Sequence, residues 1–140
     1  MSEEKKMPGL WQLSGLALCL FILASAGLSR AADLVVDGGA TYTVKNNATF
    51  ADAYIGNLTT GTVNQGNSTI NLTHVLYLGY NPGSSGTYNL SGGSLSGTIS
   101  QIIGYQGTGV FNQSGGTNAN EGNLALGNET GSKGTYNQSG

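Results

Sequence analysis

The chain has 140 residues, room for one domain, with a net charge of −2, 9% charged residues and 24 glycines. So small a net charge argues against the self-repelling composition of a disordered chain. No Lys/Arg run or basic patch is present, so there is no footprint for a nucleic-acid partner.

In chain order, the first element is a leader. Lys5 and Lys6 precede an uncharged apolar run from Leu13 to Gly27, "LSGLALCLFILASAG", and small residues follow in "SRAA". A charged start, a short apolar middle and a small-residue site make a secretory signal peptide. It spans 1–31, with cleavage after Ala31; "ASA" ending at Ala26 is an alternative site. The competing reading is an uncleaved membrane anchor, since Met7 to Ser29 is free of charge and a span needs about 20 residues. Pro8, Gln12 and the small-residue tail argue against it. The signal peptide is thus the one expected contact with a membrane, and the mature protein is expected outside the cell or on its surface. Cys19, the only cysteine, lies inside the apolar run behind Leu18, where a lipoprotein site would want a small residue. Its loss with the leader leaves no disulfide and no thiolate metal site.

Residues 32–52 come next. The stretch "LVVDGGATYTVKNNATF" from Leu34 to Phe50 is strand-like but does not fit the period of residues 53–140. The expectation is an irregular entry coil that caps an open edge.

Residues 53–140 repeat. A large aliphatic residue precedes a glycine at Ile55-Gly56, Leu78-Gly79, Ile103-Gly104 and Leu126-Gly127, the glycines lying 23, 25 and 23 residues apart. A second block falls into register at Val63-Asn64, Tyr88-Asn89, Phe111-Asn112 and Tyr136-Asn137. From each glycine to that block the distance is 7, 9, 7 and 9 residues, but from the block to the next glycine it is always 16. Insertions confined to one turn are what stacked repeats tolerate. The units hold short alternating runs broken by Gly, Pro, Asn and Ser, which read as strands and turns. The fold class is therefore all-β: a parallel β-helix, or β-solenoid, of about four coils, with the last repeat incomplete. Ile55, Leu78, Ile103 and Leu126 should stack as one column, and Val63, Tyr88, Phe111 and Tyr136 as another. Asn64, Asn89, Asn112 and Asn137 should form an amide ladder from coil to coil.

The units "YLGYNPGSSGTYNLSGGSLS" and "IIGYQGTGVFNQSGGT" resemble the roughly 24-residue repeats of type V autotransporter passengers and bacterial PEP-CTERM surface proteins. The resemblance covers about residues 53–140. It implies an exported β-helical protein of the bacterial surface or exterior, with a structural or adhesin-like role, and it implies no particular activity. Neither a translocator barrel nor a sorting tail is present in the sequence, so the resemblance leaves the export route open. The unit beginning at Leu124 stops before its last turn, which reads as a fragment. An uncovered coil edge of this kind should accept a second copy end to end.

Candidate chemistry is sparse. After the leader the acids are Asp33, Asp37, Asp52, Glu121 and Glu129, with Lys45 and Lys133. No two recur as partners, and acid–base catalysis needs a pair whose pKa values are pushed apart. No enzyme, no cofactor and no metal site is expected. His74, the only histidine, reads as a surface or corner residue. Tyr88 and Tyr136 share a column with Val63 and Phe111 and read as core. Tyr80 and Tyr105 follow the repeat glycines at the variable turn and are the candidates for exposed contacts, to a surface glycan or a protein ligand. The alternative function is a polysaccharide-binding or polysaccharide-cleaving β-helix. An ice-binding face would need regular threonine columns; Thr62, Thr87, Val110 and Thr135 make one column broken by a valine, with no second row beside it.

Overall fold

The computed structural model describes residues 31–140, so apart from Ala31 the leader lies outside the described residues. Every regular element among the described residues is a strand. In chain order these are β1 (Leu34–Val36), β2 (Ala40–Val44), β3 (Ala48–Phe50), β4 (Ala53–Ile55), β5 (Thr60–Gln65) and β6 (Thr69–Leu72). They continue as β7 (Val75–Leu78), β8 (Ser85–Leu90), β9 (Ser94–Ile103), β10 (Thr108–Gln113), β11 (Thr117–Leu126) and β12 (Lys133–Gln138).

All pairing is parallel, each strand lying against its counterpart one turn on. One sheet of seven strands runs β1-β4-β7-β9-β6-β3, with β11 on β9; the other, of five, runs β12-β10-β8-β5-β2. The ten-residue strands β9 and β11 each end one coil and begin the next. Ser94–Ser96 of β9 pair with β6, and Ser100–Ile103 with β7. The chain is thus a β-solenoid of about five turns, one more than the repeat period indicates.

The extra turn is the entry segment, an irregular first coil as expected, but one that pairs in register with the next coil rather than standing outside the repeat. Leu34 pairs with Ala53, Tyr42 with Val63 and Ala48 with Ile70, so residues 34–50 form a first coil in full register. Paired residues in this turn lie 19, 21 or 22 positions apart, against 23 or 25 between the next two coils. The repeat glycine is also missing, because Val36, the partner of Ile55, is followed by Asp37. The left-handed turn moves instead to Gly38 and Gly39, at φ of 69° and 79°.

Alternation places the core. In β5 and β8 every second residue is buried, and the two predicted columns point inward. Ile55, Leu78 and Ile103 are wholly buried together with Val36, whereas Leu126 in the last coil is 49% exposed. Beside them Tyr88 and Phe111 stack with centroids 5.1 Å apart and planes at 2°, and Phe111 and Tyr136 at 4.9 Å and 7°. The buried phenol of Tyr88 donates to Oε1 of Gln65, whose Nε2 donates to the carbonyls of Ser68 and Ser94 at 2.8 Å. In the same way Tyr136 donates to Gln113. The inward glutamines thus satisfy the tyrosines of the next coil.

Two glycine columns hold the sheets at their closest approach. The N–H of Gly79 donates to the Ile55 carbonyl of the coil before at 2.9 Å, and that of Gly104 to Leu78 at 2.7 Å. The repeat glycines themselves sit at positive φ, 66° at Gly79 and 79° at Gly104, where a side chain is strained. The second column, Gly61, Gly86, Gly109 and Gly134, lies directly against those hydrogen bonds. A Cβ on Gly86 would fall 1.9 Å from the Ile55 oxygen and 2.7 Å from the Gly79 nitrogen. This is the physical reason why each of these strands of the second sheet carries a glycine at its second position.

Candidate functional site

The tyrosines named from the sequence as exposed contacts, Tyr80 and Tyr105, stand on successive coils just past the repeat glycines. Their rings stack at 5.0 Å with planes at 24°. Two further tyrosines join them: Tyr54 on β4 and Tyr77 on β7, which pair in register on the outward face of their strands. Tyr54 and Tyr77 stack at 5.1 Å and 9°. Tyr80 meets both edge-on, at 5.1 Å and 85° to Tyr54 and 5.0 Å and 86° to Tyr77. Tyr105 meets Tyr77 at 5.7 Å and 70°.

The four rings form a herringbone, two stacked columns set at right angles, which suits the ring quadrupoles. All four are half-buried. Tyr80 is therefore not a free-standing loop residue, and truncating it removes three ring contacts. Tyr54 and Tyr77 carry a signal in the sequence, since each lies two residues before a repeat glycine; their distance from the variable turn masks it.

Carboxylates border this patch. Asp33 and Asp52 stand one coil apart, and each accepts a backbone N–H from the next coil: Asp52 N–H to Asp33 Oδ1 at 3.1 Å and Val75 N–H to Asp52 Oδ1 at 3.0 Å. His74 approaches the other oxygen of Asp52 at 3.7 Å from Nδ1, with the imidazole 44% exposed. Burial, then the Asp52 and Asp33 carboxylates, push the Tyr54 phenol up to about 12. Burial and Asp52, with Tyr80 and Tyr105, also raise Tyr77. Both stay neutral at ordinary pH, so they act as hydrogen-bond donors and apolar rings rather than as bases.

These shifts set a pH dependence. A phenol whose pKa is higher in the folded than in the unfolded chain contributes its stability below the unfolded value, about 10. That contribution is lost as pH rises toward the folded value. Thermal unfolding followed by circular dichroism should show a melting temperature that falls between pH 10 and about 12, the window set by Tyr54. The fall should be shallower in Tyr54→Phe, and an identical slope in the two proteins refutes this assignment.

Asp37 clamps another corner. Burial works to raise its pKa, but the N–H groups of Leu58 and Thr59 donate to it, as does the Thr59 hydroxyl, and these bonds with Gly38 outweigh burial and lower it. Among the described residues no group of His, Cys, Asp or Glu is placed to hold a metal ion.

On the second sheet the asparagine column forms a continuous ladder. Asn89 Nδ2 donates to Asn64 Oδ1, Asn112 to Asn89 and Asn137 to Asn112, each at 2.8 Å. In the first coil the ladder position is Thr43. These amides are spent largely on one another, so they fix the spacing of the coils.

No family model, no curated protein and no solved structure matches this chain.

Proposed function

We propose that the chain is an exported surface or extracellular β-solenoid of bacterial type that serves a structural and adhesive role, with the Tyr54–Tyr77–Tyr80–Tyr105 patch as its contact surface for a glycan. The carrying observation is that four aromatic rings from three successive coils converge on one outer surface beside two carboxylates. Half-buried neutral tyrosines offer apolar ring surface for the C–H face of a sugar and hydroxyls for its polar rim. Parallel strand pairing and the ring-on-ring contacts hold them in place, so little ordering entropy is lost when a ligand binds. Among the described residues no pair of acids is placed as an acid and base for cleavage, so the reading is of binding without catalysis.

One experiment tests both halves. The chain, expressed with its own leader in a Gram-negative host, is recovered from the exported fraction, sequenced from its N-terminus and applied to a panel of immobilised glycans. The expected mature protein begins at Ala32 and binds at least one glycan. The double variant Tyr77→Ala/Tyr105→Ala should lose at least about tenfold in affinity, or 1.4 kcal/mol, while its circular dichroism stays that of the parent. An intact Met1 in the exported form overturns the leader, and glycan binding unchanged in the folded double variant overturns the contact surface.

A further inference from the structure

The outward face of the five-stranded sheet carries a second surface, unrelated to the tyrosine patch. Alternation in β5, β8 and β10 turns three residues of each strand to solvent. The Asn ladder is one of the resulting columns. The register makes Thr41, Thr62, Thr87 and Val110 the next. Thr60, Ser85 and Thr108 then form a third column beside it. This second, mixed row of Thr60, Ser85 and Thr108 lies two residues away, across the glycine column, where the alternating burial turns it to the same side; the expectation of a single threonine row stands.

The geometry of such a face is fixed by the backbone. Coils repeat about 4.8 Å apart, and alternate residues of one strand lie about 6.7 Å apart. The two columns thus make a nearly rectangular net of hydroxyls and methyls across coils two to four, with Thr41 extending it into the first. Threonine is stiff about χ1, so the threonine methyls and hydroxyls hold their places, while Ser85 supplies a hydroxyl without a methyl. Val110 keeps the methyl surface and drops one hydroxyl. The net carries no charged side chain until Lys133 in the fifth coil, the register partner of Thr108. The adjoining amide ladder, bonded at 2.8 Å from coil to coil, stiffens the spacing further.

We propose that this net binds ice. Its side chains are short, neutral and flat-lying. They form no pocket for a solute and offer no aromatic plane for a sugar ring. They present anchoring hydroxyls at fixed lattice intervals, separated by methyls. Water held at such hydroxyls is ordered in two dimensions, and the methyls restrict it further by denying it competing hydrogen bonds. An ordered layer with the two spacings above can merge with the surface of an ice crystal, whose repeats are of the same size. A soluble ligand would gain nothing from the regularity, whereas a crystalline solid gains at every node.

The test is ice-recrystallisation inhibition and thermal hysteresis of the purified exported chain, with serum albumin as the inactive reference. The parent should keep ice grains small at concentrations where albumin does not. Thr87→Lys places a long charged side chain in the middle of the net. It should raise the concentration needed by at least about tenfold, since adsorption at a rigid face loses one or more matched contacts. Thr87→Val keeps the methyls but removes one anchoring hydroxyl, and should raise the concentration needed by less than Thr87→Lys does. Thr73→Lys, on an exposed corner away from the net, should be indistinguishable from the parent. All variants are first matched to the parent by circular dichroism. Activity no greater than albumin's overturns the proposal, as does a folded Thr87→Lys protein as active as the parent. Cosedimentation with microcrystalline cellulose at room temperature, lost in Thr87→Lys, without any effect on ice, overturns it too and reassigns the face to a crystalline glycan.

Discussion

Gly86→Ala is expected to unfold the chain. The added Cβ would sit 1.9 Å from the carbonyl oxygen of Ile55 and 2.7 Å from the nitrogen of Gly79. Those two atoms are themselves hydrogen-bonded at 2.9 Å, one coil to the next. The methyl therefore enters a backbone hydrogen bond, where no flexible side chain can yield. Either the bond breaks or the sheets separate, and separating them opens the column of Ile55, Leu78 and Ile103 to water. Interiors packed this closely do not absorb an extra methyl without strain. The expected cost is about 4 kcal/mol or more, at the exceptional end of single substitutions and a large part of the stability of a small domain. Gly66→Ala supplies the control. It lies in a turn with nothing within 4 Å of its added Cβ and should change stability by under about 0.5 kcal/mol. Chemical denaturation of both proteins decides the matter, and equal midpoints would show that the glycine column does not hold the coils together.

Leu78→Asp should be as damaging for a different reason. Leu78 is wholly buried between Ile55 and Ile103. Aspartate there removes a leucine's worth of apolar contact and leaves a cavity, alone about 2–5 kcal/mol. It also buries a carboxyl with no partner waiting. Such a group holds its proton to a higher pH than it would in the unfolded chain. Ionisation then favours the unfolded state, so the variant's deficit relative to the parent should grow as pH rises above about 4. At pH 3 the carboxyl is neutral in both states and only the cavity and a polar-burial cost remain. Ile99→Asp, at a side chain that is 53% exposed, should be nearly neutral at either pH. Urea titrations at pH 3 and pH 7 would measure both. A deficit for Leu78→Asp that is small, or the same at the two pH values, contradicts the inward placement of the aliphatic column.

Much of this architecture is written along the chain. The constant 16-residue interval, the aliphatic–glycine step and the aromatic–asparagine step are local and periodic. In a solenoid, local period becomes spatial register directly, because each residue stacks on its equivalent one turn away. That is why the amide ladder and the two core columns are legible without coordinates. The first coil escapes because its turn is shorter and Asp37 stands where later coils have the repeat glycine. Its apolar residues still match those of the later coils, but no fixed offset reveals them.

The surfaces are decided elsewhere. Sequence spacing sets Tyr80 and Tyr105 apart as loop residues, and only the stacking of coils at the strand distance brings Tyr54 and Tyr77 against them. Likewise Thr60 and Thr108 are ordinary strand residues until the sheet is formed and their side chains share a face with Thr62 and Val110. The sequence by itself determined which residues repeat, and hence the period, the fold and the inward columns, because burial in a solenoid is dictated by alternation within each strand. The tertiary structure alone decided which outward columns become neighbours across a corner or a strand. That depends on turn length and on how closely the glycines let two backbones approach, quantities no single repeat contains.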